Sequence, residues 1–200
     1  MIARNQMQTE LNQHTVNLKS ADSIKRGRFT HCYLFHNYAV LYSIDILKEC
    51  SALYSFTTHD DNPHLPEIDR FDGLDKWYIM PRYLPLTKQH TKAWQQYRAL
   101  QKLLNVHRSM FFENPRYTID KCYKFAEIVK QYDEKLGEAL SAIVDNVSNG
   151  SSNLMFEFPK SNLAVDNDGN LILLDVIFNR DYLRQGVRLS GKLRKQFTTE

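Results

Sequence analysis

An apolar stripe between residues 119 and 147 constrains the fold most. Cys122, Phe125, Ala126, Val129, Tyr132, Leu136, Ala139, Leu140, Ile143, Val144 and Val147 recur there at three- and four-residue steps. This spacing collects them on one face of a 3.6-residue helix, so the stretch predicts one long core helix. Ser148-Asn149-Gly150 would end it, since Gly150 suits the left-handed backbone that closes helices. A helix with so apolar a face must pack on another layer. With 42% hydrophobic and 12% aromatic residues in 200, the chain can supply one, as a full-sized domain or two small lobes sharing a site.

Several classes are set aside at once. Seven Gly and six Pro argue against a low-complexity or fibrous chain. No apolar run approaches the roughly 18 to 20 residues that span a bilayer, and the polar start has no signal-peptide apolar region, so neither membrane insertion nor general secretion is expected. Cys32, Cys50 and Cys122 are odd in number and widely spaced, which suggests neither a disulfide framework nor a zinc site. A cytoplasmic location is the expectation. A net charge of +3 is too small to imply nucleic acid by itself.

Along the chain, residues 1–23 read as a polar N-terminal arm. Phe29 to Phe35 and Tyr38 to Ile44 are aromatic and β-branched runs joined by His36-Asn37, which predicts a β-hairpin. Ile46 to Phe56 has helical spacing, with Asp45 placed to cap it. After a loop at Asp60 to Pro66, Glu67 to Phe71 and Lys76 to Met80 are two further strand candidates. Together these make a β-rich unit over residues 24–80. Pro81 to Pro85 is a stiff connector, because two prolines in five residues fix their own backbone angles, and it marks a lobe boundary at 81–86. A helical unit over 87–180 follows: one helix at 88–105 with Trp94, Tyr97, Leu100 and Leu104, then the long helix, then a hairpin with its turn at Asp166 to Gly169. A basic tail occupies 181–200.

The chemistry concentrates in that last hairpin. Glu157 and Asn162 precede it and Asp175 ends its second strand, so folding the hairpin brings Asp175 back to Asn162. A carboxylate and an amide carbonyl suit a hard cation such as Mg²⁺, which keeps its remaining positions for water and phosphate oxygens.

On these residues the chain resembles the protein-kinase-like superfamily. The interval from Glu157 to Asn162 is 5 and from Asn162 to Asp175 is 13, the spacing of that family's catalytic-loop carboxylate, metal-binding Asn and metal-binding Asp. The element order agrees as well: hairpin, helix bearing Glu49, two strands, the hinge-like Met80-Pro81-Arg82-Tyr83-Leu84-Pro85, helices, then the hairpin. The wording is most similar to the minimal kinase-like proteins of tailed phages and bacterial effectors. The resemblance implies an α+β fold of two lobes, with ATP and Mg²⁺ in the cleft. It implies catalytic roles for Glu157, Asn162 and Asp175, with the metal on Asn162 and Asp175. Gly27, Glu49, Met80 and Tyr83 would lie along the nucleotide, and the phosphate acceptor would be a Ser or Thr hydroxyl of a protein, including one of a host cell.

The departures from the family pattern are specific. Lys25 to Thr30 holds a single glycine, Gly27, where the family has several. The third-strand lysine expected near Tyr42 or Ser43 is missing, leaving Arg26 and Arg28 as substitute cations. The catalytic Asp is Glu157, and only about twenty-five residues follow Asp175, so no activation segment fits. These losses define a second reading, a pseudokinase that binds a partner without transferring phosphate. A nucleic-acid-binding regulator rests only on the basic tail and is the weakest of the three.

Overall fold

The structure, a computed structural model, describes residues 18–27, 30–43, 45, 61–71, 76–112, 118–148 and 153–179. The helix expected over Ile46 to Phe56 with its Glu49, most of the N-terminal arm, Gly150 and the basic tail lie outside these residues.

The first half forms a five-stranded antiparallel sheet from β1 (Ser23–Arg26), β2 (Thr30–Leu34), β3 (Tyr38–Ser43), β4 (Asp69–Arg70) and β5 (Trp77–Pro81) in the order β1-β2-β3-β5-β4. The hairpin expected around His36-Asn37 is β2–β3, with Leu34 opposite Ala39 and Thr30 opposite Ser43. Because side chains alternate across a strand, the sheet buries two apolar faces. Tyr33, Phe35 and Val40 pack on one, with Trp77, while Leu41, Ile68 and Tyr78 pack on the other, with Cys32 and Met80. The strand β1 was not foreseen: it is polar and exposed along its length and is held by pairing with β2. The strand expected over Glu67 to Phe71 is only Asp69–Arg70.

The stretch expected to be a connector is largely taken up by strands at its two ends. Pro81 closes β5, and Leu84–Pro85 form β6, which pairs with β8 (Leu163–Val165) of the later hairpin. Arg82 secures the opposite side: its guanidinium donates to Asp22 (2.6 Å) and to the Phe35 carbonyl (2.8 Å).

The second half contains α1 (Thr91–Val106), α2 (Arg108–Phe112), α3 (Thr118–Lys130) and α4 (Glu134–Ser148). The single long helix expected over 119–147 is therefore two helices. Asp133 starts the second one by accepting the Leu136 amide at 3.1 Å, and Gly137 lets it pass close over the first. A Cβ on Gly137 would stand 2.5 Å from the Lys130 nitrogen. Tyr132, counted in the apolar stripe, sits at the bend and is 55% exposed. The remaining stripe residues form the core with Leu86, Leu100, Phe111, Leu154, Phe156 and Phe158. Burying aliphatic and aromatic side chains of this size is worth roughly 1.5–3 kcal/mol each.

Two small sheets complete the fold. In the first, β6, β8 and β9 (Leu171–Leu173) lie side by side; in the second, β7 (Leu154–Phe156) pairs with β10 (Ile177–Asn179). The result is the expected α+β arrangement, a β-rich N-terminal sheet followed by a largely helical part carrying a hairpin. Among the described residues, no helix is long and apolar enough to cross a membrane.

Candidate active site at the junction of two strand pairs

The β8–β9 turn sets the geometry. Asp166 accepts the amides of Asp168 (2.9 Å) and Asn170 (2.7 Å), and Gly169 takes φ +81°, a backbone conformation that glycine adopts without strain. The register that follows pairs Leu163 with Leu173, so Asn162 stands opposite the Leu174-Asp175 step. The Leu174 amide indeed donates to the Asn162 carbonyl at 3.0 Å.

A second pairing brings in Glu157. Phe156 lies opposite Ile177 in the β7–β10 pair, and the Glu157 amide donates to the Val176 carbonyl at 2.8 Å. Asp175 thus occupies the hand-over between β9, which runs beside the strand after Asn162, and β10, which runs beside the strand before Glu157. The three residues meet because two strand pairs share this corner.

Asn162 joins them. Its Nδ2 donates to the Asp175 carbonyl (2.5 Å) and to Glu157 Oε1 (3.4 Å). With the amide nitrogen so engaged, Oδ1 faces the other way, where it accepts the Ser161 hydroxyl at 3.2 Å. The carboxylates of Glu157 and Asp175 are both exposed. Partial burial pushes the Glu157 carboxyl above its usual range, the negative charge of Asp175 pushes it further, and the Asn162 hydrogen bond opposes both.

The loop between Glu157 and Asn162 is held from beneath. Phe156 and Phe158 are buried on either side of the outward-facing Glu157, with ring centroids 5.8 Å apart, and both pack on Phe125. Gln101 of α1 donates its side-chain amide to the Phe158 carbonyl. Ser161 and Gln101 were not foreseen as contributors. A glutamine at mid-helix carries no local signal, and only the tertiary contact shows its use.

The other expected site residues are placed separately. Gly27 closes the β1–β2 turn, where its amide donates to the Thr30 carbonyl at 2.7 Å and a Cβ would stand 3.2 Å from that oxygen. Met80 lies in β5 opposite Ala39, half-buried in the Leu41, Ile68 and Tyr78 cluster. The Tyr83 hydroxyl accepts the Glu67 amide at 2.9 Å, and burial raises its phenol well above the usual range. Glu49 lies outside the described residues. At the positions expected to hold a lysine, the Tyr42 ring packs on Trp77 (5.1 Å) and the Ser43 hydroxyl bonds Thr30 Oγ1 (2.7 Å).

Among the described residues, no group of three His, Cys, Asp or Glu is arranged to hold a metal ion. Asn162 Oδ1, turned toward Ser161, and the exposed Asp175 carboxylate are oxygen donors of the kind that Mg²⁺ takes, an ion that uses one or two protein ligands and fills its other positions with water and phosphate.

No protein-family profile matches the sequence, and no curated protein matches it. Among solved structures, the chain is similar to the ternary complex of APH(2'')-IIa with streptomycin and ATP. The identity is 15% and the TM-score 0.35, covering 88% of this chain and 72% of the other. It is likewise similar to the gentamicin complex of APH(2'')-IIa, at 14% identity and TM-score 0.36, over 85% and 71% of the two chains.

Proposed function

We propose that this chain is a kinase-like phosphotransferase, divided near residues 81–86, that binds ATP with Mg²⁺ and transfers phosphate to a Ser or Thr hydroxyl of a protein. The observation that carries the reading is the hydrogen-bonded corner of Glu157, Asn162 and Asp175, three oxygen-bearing side chains drawn from three separate strand ends. Asn162 Oδ1 and the Asp175 carboxylate are the metal ligands in this reading. When bound, Mg²⁺ neutralises phosphate charge and orients the nucleotide. Glu157 orients the acceptor hydroxyl and takes its proton, a role suited to a carboxyl whose proton affinity is raised by burial and by Asp175. Gly27, in the β1–β2 turn where a Cβ would stand 3.2 Å from the Thr30 carbonyl, lies over the phosphates, and Met80 and Tyr83 line the approach from the connector.

One observation favours the second reading, a partner-binding pseudokinase. Strand β3 has the sequence YAVLYS, and its Tyr42 and Ser43 side chains are engaged within the sheet, so it offers no cation to the phosphates. Phosphoryl transfer then needs another cation, for which Arg26 and Arg28 are the candidates.

The test is a thermal-shift titration with ATP and Mg²⁺ on the wild type and on Asp175→Ala, followed by γ-labelled ATP with a cell lysate. A metal-dependent shift that Asp175→Ala abolishes, together with label on protein, supports the phosphotransferase. A shift without label supports the pseudokinase, and no shift in the wild type overturns nucleotide binding altogether.

A further inference from the structure

From residue 76 to residue 112 the chain carries Lys76, Arg82, Lys88, Lys92, Arg98, Lys102 and Arg108 and not one Asp or Glu, against a net charge of only +3 for the whole protein. Helix α1 lies in the middle of this run. Its outer side, with Tyr132 from the α3–α4 bend, walls a shallow groove of about 780 Å³. Arg98 and Lys102 stand four residues apart in the lining, both exposed, and among the described residues no acidic one lines the groove. Among the described residues no carboxylate pairs with either of them.

Apolar surface is present beside this charge. Val106 is 65% exposed and Tyr132 55%, while Trp94 and Tyr97, packed on each other at 5.2 Å, form a half-buried aromatic floor. A surface that pairs cations with apolar anchor points recognises a chain that alternates carboxylates with apolar side chains. We propose that this groove on α1 binds an acidic peptide segment of a partner protein, its carboxylates on Arg98 and Lys102 and its apolar side chains against Tyr132 and Val106. Single-stranded nucleic acid fits less well. The Trp94 and Tyr97 rings are tilted at 56° against each other and half-buried against the core, and two cations make a short track for a phosphate backbone.

The position of the groove matters for function. Gln101, part of its lining, donates to the carbonyl of Phe158, the residue after Glu157. A peptide in the groove therefore lies one side chain away from the candidate site. Its binding stands independently of phosphoryl transfer, since it needs neither Glu157 nor a metal.

The experiment is fluorescence anisotropy of a fluorescein-labelled dodecapeptide of Asp and Glu interspersed with Leu and Phe, titrated with the full chain without nucleotide. Arg98→Glu/Lys102→Glu should weaken binding by about tenfold or more, because two attractions become repulsions. Lys25→Glu/Lys124→Glu, with the same change in net charge on other elements, should leave it within about twofold, a surface charge away from the groove acting only through a screened field. Melting curves show that each variant is folded, and Tyr132→Ser, at an exposed ring, provides an apolar test that does not touch charge. Absence of saturable binding overturns the proposal. So does equal loss in the two charge variants, retained binding in Arg98→Glu/Lys102→Glu, or tighter binding of an oligothymidylate of the same length.

Discussion

Asn162 donates its side-chain amide to the backbone carbonyl of Asp175, thirteen residues away, and so ties the start of one hairpin strand to the end of the other. The same nitrogen reaches Glu157, which leaves Oδ1 as the outward-facing oxygen of the amide. The hydrogen bonds thus orient the group that the proposed function assigns to a metal.

Replacing Asn162 separates its two jobs. Asn162→Ala removes the donor and should cost about 1 kcal/mol, the usual net value of a hydrogen bond, in urea unfolding. Asn162→Asp should cost more at neutral pH, since it sets a third carboxylate beside Glu157 and Asp175 and faces the Asp175 carbonyl with an acceptor. Asn162→Ala should lose the Mg²⁺-dependent thermal shift with ATP, whereas Asn162→Asp, which keeps a side-chain oxygen of the kind Mg²⁺ takes, should retain it. A shift that survives in Asn162→Ala would remove Asn162 from the metal site.

The raised affinity of Glu157 for a proton has a defined sign. Folding lifts this carboxyl above its unfolded value of 4.5, so the folded state binds more protons between 4.5 and the raised value. The contribution of Glu157 to stability therefore increases as pH falls through that window and is unfavourable above it. Glu157→Gln should raise the melting temperature at pH 7 and lose part of that pH response. In the phosphotransferase reading it should also lower the transfer rate by about 100-fold or more, the usual contribution of a general base. An unchanged rate would leave Glu157 as a solvated charge between two core phenylalanines.

The approach of Asp175 to Asn162 was legible because it follows from a turn. Asp166 to Gly169 has the residues that a tight hairpin needs, and once the hairpin closes, spacing alone brings Asp175 to Asn162. The β2–β3 hairpin was legible for the same reason. The break between α3 and α4 was not, because Val129, Tyr132 and Leu136 keep helical phase across it, and only packing reveals that Tyr132 faces outward. Strands β6, β7 and β10 were equally hidden. Each is two or three residues long, too short for alternation to show, and each exists through a partner distant in sequence.

His64 predicts an acid-sensitive clamp. The side chain is buried, its Nδ1 lies 2.7 Å from the Leu171 carbonyl, and its own carbonyl accepts the Leu173 amide, so it fastens the segment before β4 onto β9. Burial lowers its pKa below 6.5, against the pull of the Leu171 carbonyl. The unfolded chain then takes up a proton that the folded chain resists, and stability should fall as pH drops through 6.5. Urea unfolding at pH 8 and pH 5.5 should show this loss in the wild type and a smaller one in His64→Gln. The variant should itself be destabilised by about 2 kcal/mol at pH 8, through the lost hydrogen bond and the imperfect fit of the new side chain.

Gly137 should be intolerant of any side chain. A Cβ there would stand 2.5 Å from the backbone nitrogen of Lys130, and neither helix can yield without moving the core that both share. In an exposed helix, Gly→Ala stabilises by up to about 1 kcal/mol through propensity alone. At this position the clash should reverse the sign, so that Gly137→Ala loses about 1–3 kcal/mol, the range for overpacking a close contact. Ser141→Gly, one turn further along α4 at a half-buried position, provides the opposite control, losing mainly the propensity difference of about 0.5 kcal/mol. If Gly137→Ala melts at or above the wild-type temperature, α3 and α4 do not approach as closely as the structure places them. The division of the apolar stripe into two helices would then need a different turn at Asp133.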